Sequence, residues 1–135
     1  MRRGGVKRVL DTGVLMLLLK GDVRVKKLVE EISQGVKVYT ASTNLAELYY
    51  KVEEKLGRQS ALTWFYRVAR ARELEVVSVD LELARIAGEL KARYRGAISL
   101  ADAIAAALAY REKARLTTTD KDLKVVKEVA VEVIK

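Results

Sequence analysis

The chain alternates short runs of apolar, β-branched residues with longer segments that carry apolar residues at helical spacing. The short runs predict five strands, at residues 6–12, 36–41, 75–79, 115–119 and 130–134. The other segments predict helices, beginning at Gly13 and Ser99 and spanning residues 22–34, 42–56, 58–73, 80–95 and 120–128. Strands separated by helices form parallel sheets that are covered on both faces. The sequence therefore predicts an α/β fold, a three-layer α/β/α sandwich with a mainly parallel central sheet of about five strands.

A single domain is expected over residues 1–135. This length suits one core, and the sequence contains no internal repeat, low-complexity tract or linker rich in Pro, Gly and Ser. No uncharged run approaches the roughly 20 residues that a membrane-spanning helix needs. Asp11 interrupts the apolar N-terminal stretch and no small-residue cleavage site follows, which argues against a signal peptide. We expect a cytoplasmic protein with no membrane partner.

The composition excludes several kinds of chemistry, because the sequence contains no Cys and no His. Their absence rules out disulfides, thiol nucleophiles, cysteine or histidine zinc sites, Ser-His-Asp triads and histidine acid–base catalysis. Any reaction must use carboxylates, hydroxyls, Lys, Arg or Tyr. The formal net charge of +8 favours a polyanionic partner, although a basic balance alone more often marks an ordinary charged surface.

Two acidic residues follow predicted strands directly. Asp11 comes after VKRVL and Asp120 comes after RLTTT. Ligands of parallel α/β sheets bind outside the carboxyl ends of the strands, so both carboxylates are expected at the edge where a site forms. The simpler alternative is that each residue caps the helix that follows it, a position that Asp favours.

Asp102 is the only charged residue between Gly96 and Tyr110, in the stretch GAISLADAIAAALAY. A carboxylate on so apolar a helix is costly to desolvate unless something pairs with it. Asp102 alternatively forms a capping box with Ser99, three residues earlier, and the two roles are compatible.

Four local motifs together resemble those of the PIN-domain nucleases, and most closely the small VapC-type toxins of toxin–antitoxin pairs. They are VLDTGVL at 9–15, NLAEL at 44–48, SLADAIAAALA at 99–109 and LTTTDKDL at 116–123, and the match covers the whole chain. The resemblance implies that four acids bind metal and catalyse: Asp11, Glu47, Asp102 and Asp120. It assigns supporting positions to Thr12, Thr118 and Asp122, although Asp122 is alternatively a first-turn helix acid. Two residues depart from the family pattern: Gly13 stands where Ser or Asn is common, and Leu123 where an aromatic residue is common.

Glu47 has a second interpretation from the sequence alone. It lies four residues before Lys51 on a predicted helix, the favoured order for a surface ion pair. The two interpretations predict different partners for one carboxylate.

The resemblance implies a metal-dependent endoribonuclease that leaves a 5′-phosphate and a 3′-hydroxyl. One or two Mg²⁺ or Mn²⁺ ions are expected, with Asp11 and Asp102 as central ligands and with Asp120 and Glu47 completing the site or orienting the attacking water. The implied partners are RNA, a second copy of the chain in a homodimer, and an antitoxin whose C-terminal segment covers the acidic cleft.

Other functions remain open at this point. A housekeeping RNA-processing nuclease would have the same fold, and a non-catalytic PIN-like binding module would keep the fold without the reaction. A metal-free ribonuclease would work through Tyr, Arg and Lys. A phospho-acceptor domain of the receiver type fits poorly, because its first strand usually ends in paired acids and the third strand here ends in VVSVD without matching chemistry.

Overall fold

The computed structural model describes residues 6–135 as a five-stranded parallel sheet with helices on both faces. Residues 1–5, which the single-domain prediction includes, lie outside the described part. The strands are β1 (Lys7–Leu10), β2 (Lys37–Ala41), β3 (Leu74–Val77), β4 (Arg115–Thr118) and β5 (Val131–Val133). Their order across the sheet is β3-β2-β1-β4-β5, and every pairing is parallel. The predicted α/β sandwich is confirmed.

Six α-helices connect the strands. They are α1 (Thr12–Lys20), α2 (Lys26–Ser33), α3 (Ser42–Leu56), α4 (Arg58–Ala69), α5 (Leu81–Arg93) and α6 (Leu100–Glu112). The bounds predicted for α3 are confirmed, since Gly57 ends it at a positive φ of 90° that favours glycine.

Three predicted helices differ from the structure. The helix predicted over residues 58–73 is α4, which ends at Ala69. Residues 22–34 begin as a 3-10 turn, Val23–Val25, because the Asp22 carboxylate accepts from the Arg24 N–H and closes a tight turn before α2. Residues 120–128 contain only the short 3-10 helix Lys121–Val125, after which the chain extends at Val126 on its way to β5.

Alternate residues of the strands enter two separate cores. Val9 packs with α5 and α6 on one face of the sheet, and its neighbour Leu10 packs with α1, α3 and α4 on the other. Every residue from Ala103 to Ala109 is buried, because α6 lies between the sheet and α5. The small alanine side chains let this helix approach its neighbours closely.

The strand order reverses between β1 and β4, where the chain returns to the other side of the sheet. In such folds ligands bind outside the carboxyl ends of the strands on either side of this reversal. A backbone bond of 3.2 Å from the Asp11 N–H to the Thr117 carbonyl oxygen joins the strands at this edge. Within residues 6–135, no helix has both the length and the apolar character required to cross a membrane.

Candidate active site

Asp11 follows β1 at the point where the strand order reverses, and it is only 7% exposed. It caps α1, since its Oδ1 accepts from the Val14 N–H at 3.1 Å, and its Oδ2 accepts from the Thr118 hydroxyl. Burial raises the pKa of Asp11 and outweighs the two hydrogen bonds, which lower it; the charges of Asp102 and Asp120 raise this pKa further. The predicted capping role is confirmed, and burial and nearby negative charges also make the ionised form of this carboxyl group less favourable.

The end of β4 is tied to Asp11 through Thr118. The Thr118 hydroxyl donates to Asp11 and accepts from the Asp120 N–H at 2.9 Å. Asp120 then caps the 3-10 helix by accepting from the Asp122 N–H at 2.9 Å. This chain of contacts brings Asp11, Thr118 and Asp120 together, whereas Asp122 is exposed and contributes its backbone.

Glu47 is joined to the same end of β1 through Thr12. The buried Thr12 hydroxyl donates to Glu47 Oε1 at 2.7 Å and accepts from Asn44 Nδ2 at 3.1 Å. The alternative ion pair is wrong, because no salt bridge between Glu47 and Lys51 occurs among the described residues. The Thr12 hydroxyl therefore holds the Glu47 carboxylate near the end of β1.

Asn44 is a site residue that the sequence reasoning did not single out. It is 2% exposed and donates to the hydroxyl that holds Glu47. One signal was available: Asn44 is the chain's single asparagine, inside the NLAEL motif. A buried side-chain amide must find partners, so its position beside Thr12 satisfies both groups.

Asp102 forms the predicted capping box at the start of α6. The Ser99 hydroxyl accepts from the Asp102 N–H at 3.0 Å, and Asp102 Oδ2 accepts from the Ser99 N–H at 3.1 Å. Among the described residues no hydrogen bond reaches the other carboxylate oxygen, Oδ1. The charge of Asp102 raises the pKa of Asp11, so the capping role does not isolate this carboxylate from Asp11.

The four predicted acids share two properties. In the part of the chain that the structure describes, none of them forms a salt bridge, and no three acidic side chains lie close enough together to hold a metal ion directly. Oxygen donors of this kind suit Mg²⁺ and Mn²⁺, and Mg²⁺ keeps several of its waters when it binds. The chemistry of these donors therefore fits such an ion, which would supply a positive charge beside Asp11.

Comparison with known proteins decides the family. The family model of the PIN domain matches residues 8–129. The chain belongs to the PIN domain family. A search of curated protein sequences gave no match.

Solved structures confirm the PIN fold. VapBC2 from Rickettsia felis, bound to a promoter DNA fragment, matches with a TM-score of 0.78 at 20% identity, covering 96% of this chain and 100% of that chain. DNA-bound VapBC from Salmonella typhimurium matches with a TM-score of 0.75 at 18% identity. That match covers 96% of this chain and 99% of that chain. VapC20 from Mycobacterium tuberculosis, a sarcin–ricin loop cleaving toxin, matches with a TM-score of 0.69 at 21% identity. That match covers 87% of this chain and 93% of that chain.

Leu123, the departure from the PIN pattern on the 3-10 helix, is fully buried. It packs in the core formed with α5 and α6 and has no exposed surface. A leucine there fills core volume beside the site without offering a polar group to it.

Proposed function

We propose that this PIN domain is a divalent-metal-dependent endoribonuclease that hydrolyses RNA phosphodiester bonds. The observation that carries the proposal is Asp11: a buried carboxylate at the strand-order reversal, with acids and no cation around it in the described part of the chain. Burying a charge without a partner is costly, so such an arrangement supports binding of an external cation. Family membership supports nucleic-acid hydrolysis as the use of that cation.

The residues divide into ligands and supports. Asp11 and Asp102 would hold one or two Mg²⁺ or Mn²⁺ ions, with Asp120 and Glu47 completing the site. When bound, the metal would supply an activated water and neutralise charge on the scissile phosphate. Thr118 and the Val14 N–H orient the Asp11 carboxylate, and Thr12 orients Glu47. Because these supports are buried, the carboxylates are positioned before any ligand arrives.

Protons compete with metal at this site. Burial and neighbouring carboxylates raise the pKa of Asp11, so the protonated form persists to higher pH than for an exposed aspartate. Metal binding requires the deprotonated form, and we therefore expect cleavage to fall as the solution is made acidic.

We further propose that the protein is the toxin of a toxin–antitoxin pair and acts as a cytoplasmic homodimer. The support is the set of similar folds, several of which are VapBC complexes. A housekeeping RNA-processing nuclease is the alternative with the same chemistry, and an adjacent gene for a small antitoxin would separate the two. A PIN-like module that binds RNA without cutting it is the alternative without the chemistry.

The test is cleavage of 5′-labelled RNA with Mn²⁺ and with EDTA, comparing wild type, Asp102→Asn and Asp22→Asn. Asp22 is the matched control, because it also caps a helical turn, lies outside the site, and Asn caps equally well. We expect metal-dependent cleavage by wild type and Asp22→Asn, with a loss of at least about a hundredfold in Asp102→Asn.

Three results would count against the proposal. Cleavage in EDTA would indicate the metal-free chemistry of Tyr, Arg and Lys. Equal cleavage by wild type and Asp102→Asn would return Asp102 to capping alone. Binding of RNA without cleavage under all conditions would favour the binding module.

A further inference from the structure

Gly13, the second residue of α1, has no room for a side chain. A Cβ built at this position would lie 2.2 Å from Thr119 Oγ1 and 3.3 Å from both Thr119 Cβ and Cγ2. Non-bonded carbon and oxygen atoms do not approach to 2.2 Å, because repulsion rises steeply inside the van der Waals minimum. Any residue except glycine at position 13 must therefore move the exposed Thr119 side chain, its hydroxyl most of all and its Cβ by a few tenths of an ångström.

A second helical glycine shows that the requirement is specific to this place. Gly88 lies inside α5, and a Cβ there would meet nothing within 4 Å. Neither Gly13 nor Gly88 has a positive φ, so neither backbone conformation demands glycine. Glycine is a poor helix former, and at Gly13 the close approach of Thr119 gives it a physical reason.

Thr119 stands between the two residues through which β4 reaches the site. On one side the Thr118 hydroxyl donates to Asp11, and on the other the Asp120 N–H donates to that same hydroxyl at 2.9 Å. Rotation of the Thr119 hydroxyl about χ1 would leave these neighbours in place, but the contact at 3.3 Å with Thr119 Cβ would push on the backbone that Thr119 shares with them. The contact between Thr119 and Gly13 thus joins the residue after β4 to the start of α1.

We propose that Gly13 and Thr119 are a matched pair, in which the absence of a side chain at position 13 leaves space for the Thr119 side chain. In this pair Thr119 is a positioning residue for Asp11 and Asp120. The consequence for metal binding rests on the function proposed above. The consequence for the geometry of β4 does not, which allows the two to be tested separately.

The experiment is a double-mutant cycle of Gly13→Ala, Thr119→Ala and the double variant, with Gly88→Ala as the matched control and Thr119→Ser as the conservative change. One readout is the amide NMR signal of Asp120 in metal-free protein, which reports its bond to Thr118. The second is the Kd for Mn²⁺ by titration calorimetry. The double variant keeps only a Cβ contact at 3.3 Å, which a shift of a few tenths of an ångström relieves.

We expect Gly13→Ala to move the Asp120 amide signal and to weaken Mn²⁺ binding about tenfold, a coupling typical of residues in direct contact. Thr119→Ala should weaken it about threefold, and adding Gly13→Ala to Thr119→Ala should cause no further loss. Thr119→Ser and Gly88→Ala should match wild type in both readouts.

Additive effects of Gly13→Ala and Thr119→Ala on the Asp120 amide signal would overturn the proposed pairing. A Gly13→Ala protein whose Asp120 signal matches that of wild type would overturn it as well. A moved Asp120 signal with unchanged Mn²⁺ affinity would overturn the positioning role and leave a packing contact only. If wild type binds no Mn²⁺, the proposed function fails, and the Asp120 signal in the metal-free cycle still decides the matched pair.

Discussion

Two buried charges of opposite sign, Arg8 within β1 and Asp11 directly after it, have different surroundings. Arg8 is 6% exposed; its Nε donates to Glu31 Oε1 at 2.9 Å and its Nη1 to Glu132 Oε1 at 2.8 Å. Asp11 is 7% exposed and accepts from one hydroxyl and one backbone N–H. The charges that act on it, Asp102 and Asp120, have its own sign.

Arg8 has charged partners that offset its burial, as expected of a structural charge, whereas Asp11 has the surroundings expected of a functional one. Burial lowers the pKa of Arg8, but the hydrogen bonds and charges of Glu132 and Glu31 outweigh it and hold that pKa above its ordinary value. Burial raises the pKa of Asp11, and no salt bridge to Asp11 occurs in the described part of the chain. The fold completes the environment of Arg8 with two carboxylates, and under the proposed function a metal ion completes that of Asp11.

The largest expected effect on stability is that of Arg8→Met. Glu31 is almost as buried as Arg8 and would lose its partner, so we expect a loss of about 3–5 kcal/mol in the free energy of unfolding. Urea denaturation measures it. Arg115→Met is the control: its ion pair with Glu132 is half exposed at 3.4 Å and is worth under about 1 kcal/mol. Equal losses of unfolding free energy in Arg8→Met and Arg115→Met would contradict the claim that the buried ion pairs contribute more than the exposed one.

A smaller loss is expected for Thr12→Val, which keeps the shape and removes the hydroxyl. Asn44 and Glu47 would each lose a hydrogen-bond partner, one of them fully buried, for about 1–2 kcal/mol. Thr63→Val is the matched control, because Thr63 is exposed and bonds only the Gln59 carbonyl oxygen. Thermal unfolding compares the two. If Thr12→Val is as mild as Thr63→Val, Glu47 is not held through Thr12.

Asp11→Asn should have the opposite sign and stabilise the metal-free protein by about 1 kcal/mol at neutral pH. The folded-state pKa of Asp11 lies above its ordinary 3.8, so wild type loses stability as pH rises from about 4 through that raised pKa. Asn cannot titrate, so the advantage of the variant should grow over this window and then level off. Unfolding free energies of both proteins between pH 4 and 8 measure it. A difference that stays constant with pH would contradict the electrostatic account of Asp11.

The smallest effect is expected for Glu132→Gln, about 0.5–1 kcal/mol at neutral pH, because Glu132 is 44% exposed and solvent screens its pairing with Arg8. Arg8 lowers the pKa of Glu132 below its ordinary 4.5. This contribution is therefore present above pH 4.5 and is lost as pH falls through the folded-state pKa, the reverse of Asp11. Denaturation at pH 3 and 7 checks it. A Glu132→Gln deficit that is larger at pH 3 would contradict the assigned partner.

Local features were predictable from the sequence, and long-range partners were not. The bounds of α3 and the capping box of Ser99 and Asp102 depend on residues at most a few positions apart. Arg8 instead pairs with residues 23 and 124 positions away, and nothing in VKRVL indicates that. The sequence suggests the near neighbour Lys51 as a partner for Glu47, whereas the partner in the structure is Thr12, 35 positions away. Strand order, which the sequence does not encode locally, decides these contacts.

The most direct test of the account is titration calorimetry of Mn²⁺ into wild type, Asp11→Asn and Asp22→Asn at neutral pH. The account predicts that wild type and Asp22→Asn bind one or two ions with the same Kd, and that Asp11→Asn binds at least about tenfold more weakly. A folded Asp11→Asn protein that binds Mn²⁺ as tightly as wild type would contradict the claim that the buried, unpaired Asp11 carboxylate is the reason a metal binds here.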